Sequence, residues 1–112
     1  MNEYFNIPKP GKPARGTTTG KPVMVLFDLL GRRWAMSILW HLHDRNRTFR
    51  EIQECCDNAS PTVLNTRLKE LRMSGLVKKA ERGYALTQTG NVLYSHLEPL
   101  DNWADEWAEN FE

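Results

Sequence analysis

The chain has 112 residues, of which 40% are hydrophobic and 26% are charged, a composition that suits one small globular domain with tails. It contains no apolar run of about 18 residues and no apolar signal region near its start, so we expect neither a membrane span nor secretion and predict a cytoplasmic protein. The net charge is +1, but residues 98–112 carry six acidic side chains and no Lys or Arg, so the basic remainder favours a polyanionic partner.

Residues 1–20 are rich in Pro, Gly and Thr and carry little that can pack, so the sequence predicts a flexible basic arm. A basic arm beside a DNA-binding domain can reach a groove or phosphates. The alternative is a terminus without a role.

Two short helices are predicted after the arm. The first covers residues 22–30, with Pro22 in its first turn and Gly31 after its end. The second covers residues 33–43 and is apolar over much of its circumference, as is typical of the central helix of a small bundle. Its predicted buried stripe consists of Trp34, Ile38, Leu39 and Leu42.

The next two helices, joined by a tight turn, form a helix-turn-helix pattern. The third helix runs from Thr48 to residue 55, and Thr48 and Glu51 make a capping box at its start. The fourth covers residues 61–74, after Ser60 as the N-cap, and Gly75 suits a left-handed stop. Its apolar face is formed by Leu64, Leu68 and Leu71.

The other face of the fourth helix carries hydrogen-bonding and cationic side chains. They are Thr62, Asn65, Thr66, Lys69 and Arg72. A helix that is apolar on one side and polar in this way on the other can be inserted into the major groove of DNA. The alternative is a solvated polar face without a ligand.

Two short strands, residues 76–80 and 84–86, follow the fourth helix, and Gly83 supplies a positive φ between them. Thr87 then caps a final helix that runs to about residue 110, with a kink expected at Pro99. The apolar residues of this helix follow a heptad spacing, which Trp103 widens. They are Leu93, Leu97, Leu100, Ala104, Trp107 and Phe111. Pairing of two copies would cover the aromatic rings, and folding back onto the first helix is the alternative.

This order of elements is that of a winged helix. In four stretches the chain resembles the HxlR family of bacterial winged-helix transcription regulators: LLGRRWAMSILWHL at 29–42, TFREI at 48–52, SPTVLNTRLKELRMSGLV at 60–77 and YALTQTG at 84–90. The resemblance implies a mainly α fold with a small β-hairpin, a winged helix-turn-helix with extra N- and C-terminal dimerisation helices. It also implies a homodimeric, sequence-specific DNA-binding regulator whose helix at 61–74 contacts the major groove.

The domains expected on this basis are a basic arm at 1–20, a DNA-binding domain at 21–90 and a dimerisation helix at 91–112. The expected DNA-binding residues are Arg47, Thr48, Arg50, Ser60, Thr62, Asn65, Thr66, Arg67, Lys69, Arg72, Lys78 and Arg82, with Arg45 as a further phosphate candidate. Thr62, Asn65, Thr66 and Lys69 are the candidates for contact with bases. The expected dimer interface consists of Val23, Phe27, Leu97, Leu100, Trp103, Ala104, Trp107 and Phe111.

The chain departs from the family pattern in two places. Family members that sense oxidants usually carry a Cys near the start of the first helix, whereas no Cys precedes position 55 here. The wing is also shorter than usual, which argues against deep contact with the minor groove. Adjacent Cys55 and Cys56 are expected to be one buried residue and one exposed thiol, and a redox switch is the less favoured alternative.

Several other functions are alternatives to DNA binding. A winged-helix module that binds protein and not DNA is the main rival, favoured by the short wing and the near-neutral charge. A small-molecule effector would occupy a pocket near Trp34, Trp40 and Tyr94. His41 and His43 point to different faces of a helix, so no metal site is expected. No catalytic motif is present, and we expect neither an enzyme nor a cofactor.

Overall fold

A computed structural model describes residues 7–111 of the chain. In this part of the chain, six helices and one antiparallel hairpin follow one another. They are α1 (Pro22–Leu30), α2 (Ala35–Leu42), α3 (Phe49–Cys55), α4 (Pro61–Met73), β1 (Val77–Ala80), β2 (Gly83–Leu86), α5 (Gln88–Leu97) and α6 (Leu100–Glu109). This is the predicted winged helix-turn-helix. None of the helices between residues 7 and 111 has the length and apolar character needed to cross a bilayer.

The core forms around α2, because this helix buries four of its eight residues. Ala35, Ile38, Leu39 and Leu42 are all buried. They are covered by the apolar face of α4, which is formed by the predicted Leu64, Leu68 and Leu71, and by Ile52 of α3. The packing fixes which way α4 faces, since its leucines point into the core.

Local capping sets where three of the helices begin. Thr48 and Glu51 form the predicted capping box at the start of α3, in which the Thr48 hydroxyl accepts from the Glu51 amide at 3.2 Å. The Ser60 hydroxyl accepts from the Val63 amide at 3.2 Å, and Thr87 caps α5 in the same way. Gly75, two residues after the end of α4, has a φ of +79°, which confirms the predicted left-handed stop.

The wing is joined to the helix-turn-helix by backbone hydrogen bonds. β1 and β2 pair with Val77 opposite Leu86 and Ala80 opposite Gly83. Gly83 has the predicted positive φ, at +155°, and a Cβ there would collide with the carbonyl oxygen of Arg47. The segment before α3 therefore passes directly against the wing.

The second and final helices differ from their predicted extents. α2 begins at Ala35 because Trp34 adopts a left-handed conformation, with φ +71°, and stays half-buried beside the core. The predicted single C-terminal helix is divided into α5 and α6 by Glu98 and Pro99. Pro99 has no N–H to donate to the Ser95 carbonyl, and both linker residues keep right-handed helical dihedrals, so the interruption is confined to two residues.

The described part of the arm, residues 7–20, contains no helix or strand, as its composition suggests, but it is attached to α1. The Arg15 Nε donates to Asp28 Oδ1 at 2.5 Å, and the Arg15 amide donates to the other carboxylate oxygen at 3.2 Å. The composition of the arm does not predict these bonds. The remaining parts of the predicted arm and terminal helix, residues 1–6 and residue 112, lie outside the described residues.

Candidate nucleic-acid interface

The polar face of α4 is exposed along the length of the helix. Thr62, Asn65, Lys69 and Arg72 are exposed, while the leucines of the opposite face are fully buried. A helix of 13 residues is about 20 Å long, which is enough to follow a major groove past several base pairs. The arrangement brings the predicted base-contacting residues together on one accessible surface.

Thr66 lies at the edge of this surface and is half-buried. Its hydroxyl donates to the Thr62 carbonyl at 3.0 Å, so its proton is used within the helix. The oxygen can still accept a hydrogen bond, and the methyl group can contact a thymine methyl. Thr66 thus keeps a more limited capacity for base contact than Asn65.

Ser60 and Thr48 are N-caps, and their hydroxyl oxygens accept backbone hydrogen bonds. Each hydroxyl retains its proton as a donor. Both residues can therefore serve the fold and still donate to a phosphate.

Arg47, predicted as a phosphate contact, belongs to the fold. Its side chain is only 13% exposed, its Nε donates to the His41 carbonyl at 2.8 Å, and it pairs with Asp44 at 3.1 Å. A guanidinium held by these partners at the end of α2 is not presented to solvent as a phosphate ligand. The carbonyl at the end of α2 is a tertiary feature that the spacing of charges does not reveal.

Arg67 is likewise held within the fold. Its side chain is 14% exposed, with Nε donating to the Arg33 carbonyl at 2.6 Å and the guanidinium pairing with Glu70 at 2.5 Å. The residue lies on the flank of α4 that packs against the turn between α1 and α2, away from the exposed face. The buried partners, Asp28 and Glu70, were missed by the sequence analysis, although the spacings Asp28–Arg32 and Arg67–Glu70 are those of helical ion pairs.

The remaining cationic candidates outside α4 lie on α3 and the wing. Arg50 of α3, Lys78 of β1 and Arg82 at the tip of the wing are all exposed. A cleft of about 510 Å³ lies between the start of α3 and the wing tip, and Arg45 and Arg82 are among its lining residues. Arg45 pairs with Glu51 at 3.1 Å across this cleft.

The surroundings of the Glu51 carboxyl in this cleft favour its ionised form. The hydrogen bond from the Thr48 amide, followed by that from Arg45, lowers the pKa of the Glu51 carboxyl below its usual value, against a smaller opposing effect of burial. The cleft therefore contains acidic and basic groups together, and its charge favours a phosphate only at the arginine side.

An apolar surface is exposed on the terminal helices. No residue of α6 is buried, and Trp103, Trp107 and Phe111 are 57%, 51% and 72% exposed. The rings of Trp103 and Trp107 stack with centroids 5.9 Å apart, and the Phe111 ring meets Trp107 edge-on. Folding of these rings onto α1 of the same chain, the alternative to pairing of two copies, is not observed in the described residues.

The other predicted interface residues differ in exposure. Val23 and Phe27 of α1 are 41% and 56% exposed and lie one turn apart on the helix. Leu100 and Ala104 of α6 are exposed, whereas Leu97 of α5 is half-buried.

At the place considered for an effector pocket, near Trp34, Trp40 and Tyr94, the rings of Trp40 and Tyr94 pack against each other. Their centroids lie 5.3 Å apart, and His43 stacks on Tyr94 at 3.9 Å. An apolar cleft of about 380 Å³ lies elsewhere, where the arm meets α1 and the end of α4. Its lining includes Pro8, Pro10, Pro22, Leu26, Leu29 and Met73.

The two cysteines differ in environment. Cys56 is buried, with its Sγ 3.8 Å from the Ser37 hydroxyl, and burial raises the pKa of its thiol, while Cys55 is half-buried. The raised pKa disfavours the reactive thiolate. Within residues 7–111, no three His, Cys, Asp or Glu side chains are grouped so that they could hold a metal ion.

Comparison with protein families gives one match over most of the chain. The family model described as HxlR-like helix-turn-helix matches residues 29–112, which include α2 to α6. The matched region contains the whole helix-turn-helix and the wing.

Curated relatives are similar over most of their length. The chain is 35% identical over 89 residues to the uncharacterised HTH-type transcriptional regulator YvaP of Bacillus subtilis strain 168, covering 73% of this chain and 82% of the relative. It is 32% identical over 101 residues to the HTH-type transcriptional regulator YodB of the same organism, covering 84% and 90%. Both are named as regulators, and neither name points to a protein-binding module.

Solved structures share the fold. Quinone-bound YodB from B. subtilis superposes with a TM-score of 0.68 at 34% identity, covering 75% of this chain and 96% of that one. A possible HxlR family transcriptional factor from Thermoplasma volcanium GSS1 superposes with a TM-score of 0.69 at 29% identity, covering 80% and 86%.

Proposed function

The chain belongs to the HxlR-like helix-turn-helix family and is a DNA-binding transcriptional regulator, and we propose that it acts as a cytoplasmic homodimer whose two α4 helices enter successive major grooves of one operator. The observation that carries the proposal is the exposure of Thr62, Asn65 and Lys69 along α4, opposite leucines that fix the direction of that face.

The side chains on this face match base edges in the major groove. The Asn65 amide can donate to and accept from adenine, and the Lys69 ammonium can donate to the acceptors of guanine. Each good contact of this kind contributes about 1–3 kcal/mol of discrimination between bases. Thr62 and Thr66 supply a hydroxyl and a methyl group beside them.

Phosphate contacts are assigned to exposed cations of α3, α4 and the wing. They are Arg50, Arg72, Lys78 and Arg82, with Arg45 at the cleft beside the wing. The N-cap hydroxyls of Thr48 and Ser60 add neutral donors. Arg47 and Arg67 are left out of the proposal because both guanidiniums are held within the fold.

The dimer is supported by the apolar surface of α1 and α6. A single chain leaves the rings of Trp103, Trp107 and Phe111 in water, and a second copy would remove them from it. A two-fold axis would then present two α4 helices about 34 Å apart, one turn of B-DNA. The acidic side chains of residues 98–112 would be kept away from the phosphates.

Selection of bound duplexes from a random library by the full-length protein tests the proposal. The expected consensus is two-fold symmetric, with half-sites separated by one helical turn. The same selection with Asn65→Ala should lose preference at one position of each half-site. An enriched consensus without symmetry, or no enrichment at all, would overturn the homodimer with two α4 contacts.

A further inference from the structure

Five charged side chains form a connected series from the arm, through α1, to α4. Arg15 contacts Asp28 at 2.5 Å, and Arg32 lies 3.9 Å from the same carboxylate. Arg32 then contacts one oxygen of Glu70 at 2.7 Å, while Arg67 contacts the other at 2.5 Å. Each carboxylate thus lies between two guanidiniums.

The two acids are buried. Asp28 and Glu70 are 7% and 5% exposed. Removing charges from water is costly, and apolar side chains of similar volume often give equal or greater stability than a buried ion pair. Net stability is therefore a weak explanation for this arrangement, whereas its directional hydrogen bonds restrict geometry strongly.

The series of charged side chains restricts the orientation of α4. Glu70 is held on both oxygens, and Arg67, one turn earlier, donates to the Arg33 carbonyl at 2.6 Å. Two of these bonds, from Arg32 to Glu70 and from Arg67 to the Arg33 carbonyl, connect α4 to the turn between α1 and α2 and oppose rotation of the helix about its own axis. The third bond, between Arg67 and Glu70, lies within α4 and orients the two side chains. Lys69, which immediately precedes Glu70, lies on the exposed face, so rotation of α4 would displace the base-contacting side chains.

The same series reaches the helix proposed to contact the partner chain. Asp28 follows Phe27, the exposed aromatic residue of α1. Arg32 therefore connects α1, which would help to define the two-fold axis of the dimer, with α4, which would enter the major groove. In a dimer, this connection affects the direction and separation of the two α4 helices.

We propose that Arg32, Arg67 and Glu70 are positioning residues for sequence discrimination, fixing the rotation of α4 relative to α1 without contacting DNA. The inference rests on the proposed function, because it concerns how the proposed base-contacting face is held. It assigns to Arg67 an effect on specificity that a phosphate contact would not have.

The test replaces the α4 half of the series by apolar side chains. The variant R67M/E70M removes one charge of each sign, leaves Arg32 beside Asp28 and keeps a similar side-chain volume. Its affinity is measured for the duplex selected by the wild-type protein and for a scrambled duplex, over a range of salt concentrations. We expect a ratio of specific to non-specific affinity lower by about tenfold or more, as when one good base contact is lost. The melting temperature is measured alongside, because the variant also removes the donor to the Arg33 carbonyl.

The matched control is I38V, which loosens the core of α2 without touching the series. It should lower the melting temperature and leave the affinity ratio unchanged, so a purely structural effect can be recognised. Glu70→Gln retains the shape of the side chain and should lower the ratio less than R67M/E70M. If the double variant does not fold, the affinity ratio of Glu70→Gln is compared with that of the wild type instead. An unchanged ratio in Glu70→Gln then overturns the proposal.

Three results separate the possible failures. An unchanged affinity ratio in R67M/E70M would overturn the positioning role. A fall of about one unit in the slope of log affinity against log salt would show that Arg67 contacts phosphate, which also overturns it. Absence of sequence preference in the wild-type protein would instead contradict the proposed function.

Discussion

Arg47 and Tyr84 exchange two backbone hydrogen bonds, from the Arg47 amide to the Tyr84 carbonyl at 3.1 Å and from the Tyr84 amide to the Arg47 carbonyl at 2.8 Å. The linker before α3 is thereby paired with β2, which also pairs with β1. This pairing holds the wing tip beside the start of α3, where the cleft containing Arg45 and Arg82 is found.

Replacement of Arg47 by Ala should reduce stability and leave the number of phosphate contacts unchanged. The guanidinium is bonded to the His41 carbonyl and paired with Asp44, so its removal should cost about 1–3 kcal/mol of unfolding free energy. Urea unfolding measures the loss, and the salt dependence of binding to random duplex DNA should keep the wild-type slope. A slope lower by about one with normal stability would instead make Arg47 a phosphate ligand.

Asn65→Ala and Arg50→Ala should affect DNA binding in different ways. The first removes a proposed base contact and should relax preference at one base pair by about 1–3 kcal/mol. The second removes a proposed phosphate contact, so it should weaken binding to all sequences alike and lower the salt slope by about one. Titrations with the selected duplex and its single-base variants measure both effects. Equal effects of the two substitutions on every duplex would contradict the division of roles.

Acid should destabilise the protein partly through Asp28. Burial raises the pKa of this carboxyl, but the hydrogen bonds and charge of Arg15, with a contribution from Arg32, outweigh burial and lower the pKa below the usual value of 3.8. The folded state therefore binds this proton less readily than the unfolded state. The resulting stability is present above pH 3.8 and is lost as the pH falls from there through the lowered pKa.

Asp28→Asn should consequently be less stable than the wild type at neutral pH and should lose less stability on acidification below about pH 4. Urea unfolding at a series of pH values gives the comparison. The exposed substitution Gln88→Ala is the control and should follow the wild-type pH dependence. Parallel pH profiles for Asp28→Asn and the wild type would exclude a contribution from this ion pair.

Trp107→Asp should favour the monomer. A charge among the rings of Trp103, Trp107 and Phe111 would have to be desolvated in the proposed interface. Sedimentation velocity should give a smaller species than for the wild type at the same concentration, with unchanged helical content, because α6 contributes no buried residue to its own chain. Asn91→Asp, an exposed change on α5, is the control. A wild-type protein that is already monomeric would contradict the proposed assembly.

Features determined by near neighbours were predictable from the sequence. The caps at Thr48, Ser60 and Thr87 each depend on an amide three residues later, and the buried Leu64, Leu68 and Leu71 follow from helical spacing. The left-handed Gly75 likewise needs only its position after a helix.

Features determined by distant partners were not predictable. The spacing of residues on α4 suggested that Arg67 was available to DNA, but its acceptor, the Arg33 carbonyl, lies 34 positions earlier in the chain. Arg32 and Glu70 are separated by 38 positions. The attachment of the arm through Arg15 depends on an acid 13 positions away, so composition alone suggested flexibility.

The most direct measurement of the central claim is methylation interference on the selected duplex, because methylation of guanine N7 blocks the major groove. The account predicts two patches of interference related by a dyad and centred about one helical turn apart, both weakened when Lys69 is replaced by Ala. A single patch, or binding that tolerates methylation throughout the site, would contradict a dimer that inserts its two α4 helices into successive major grooves.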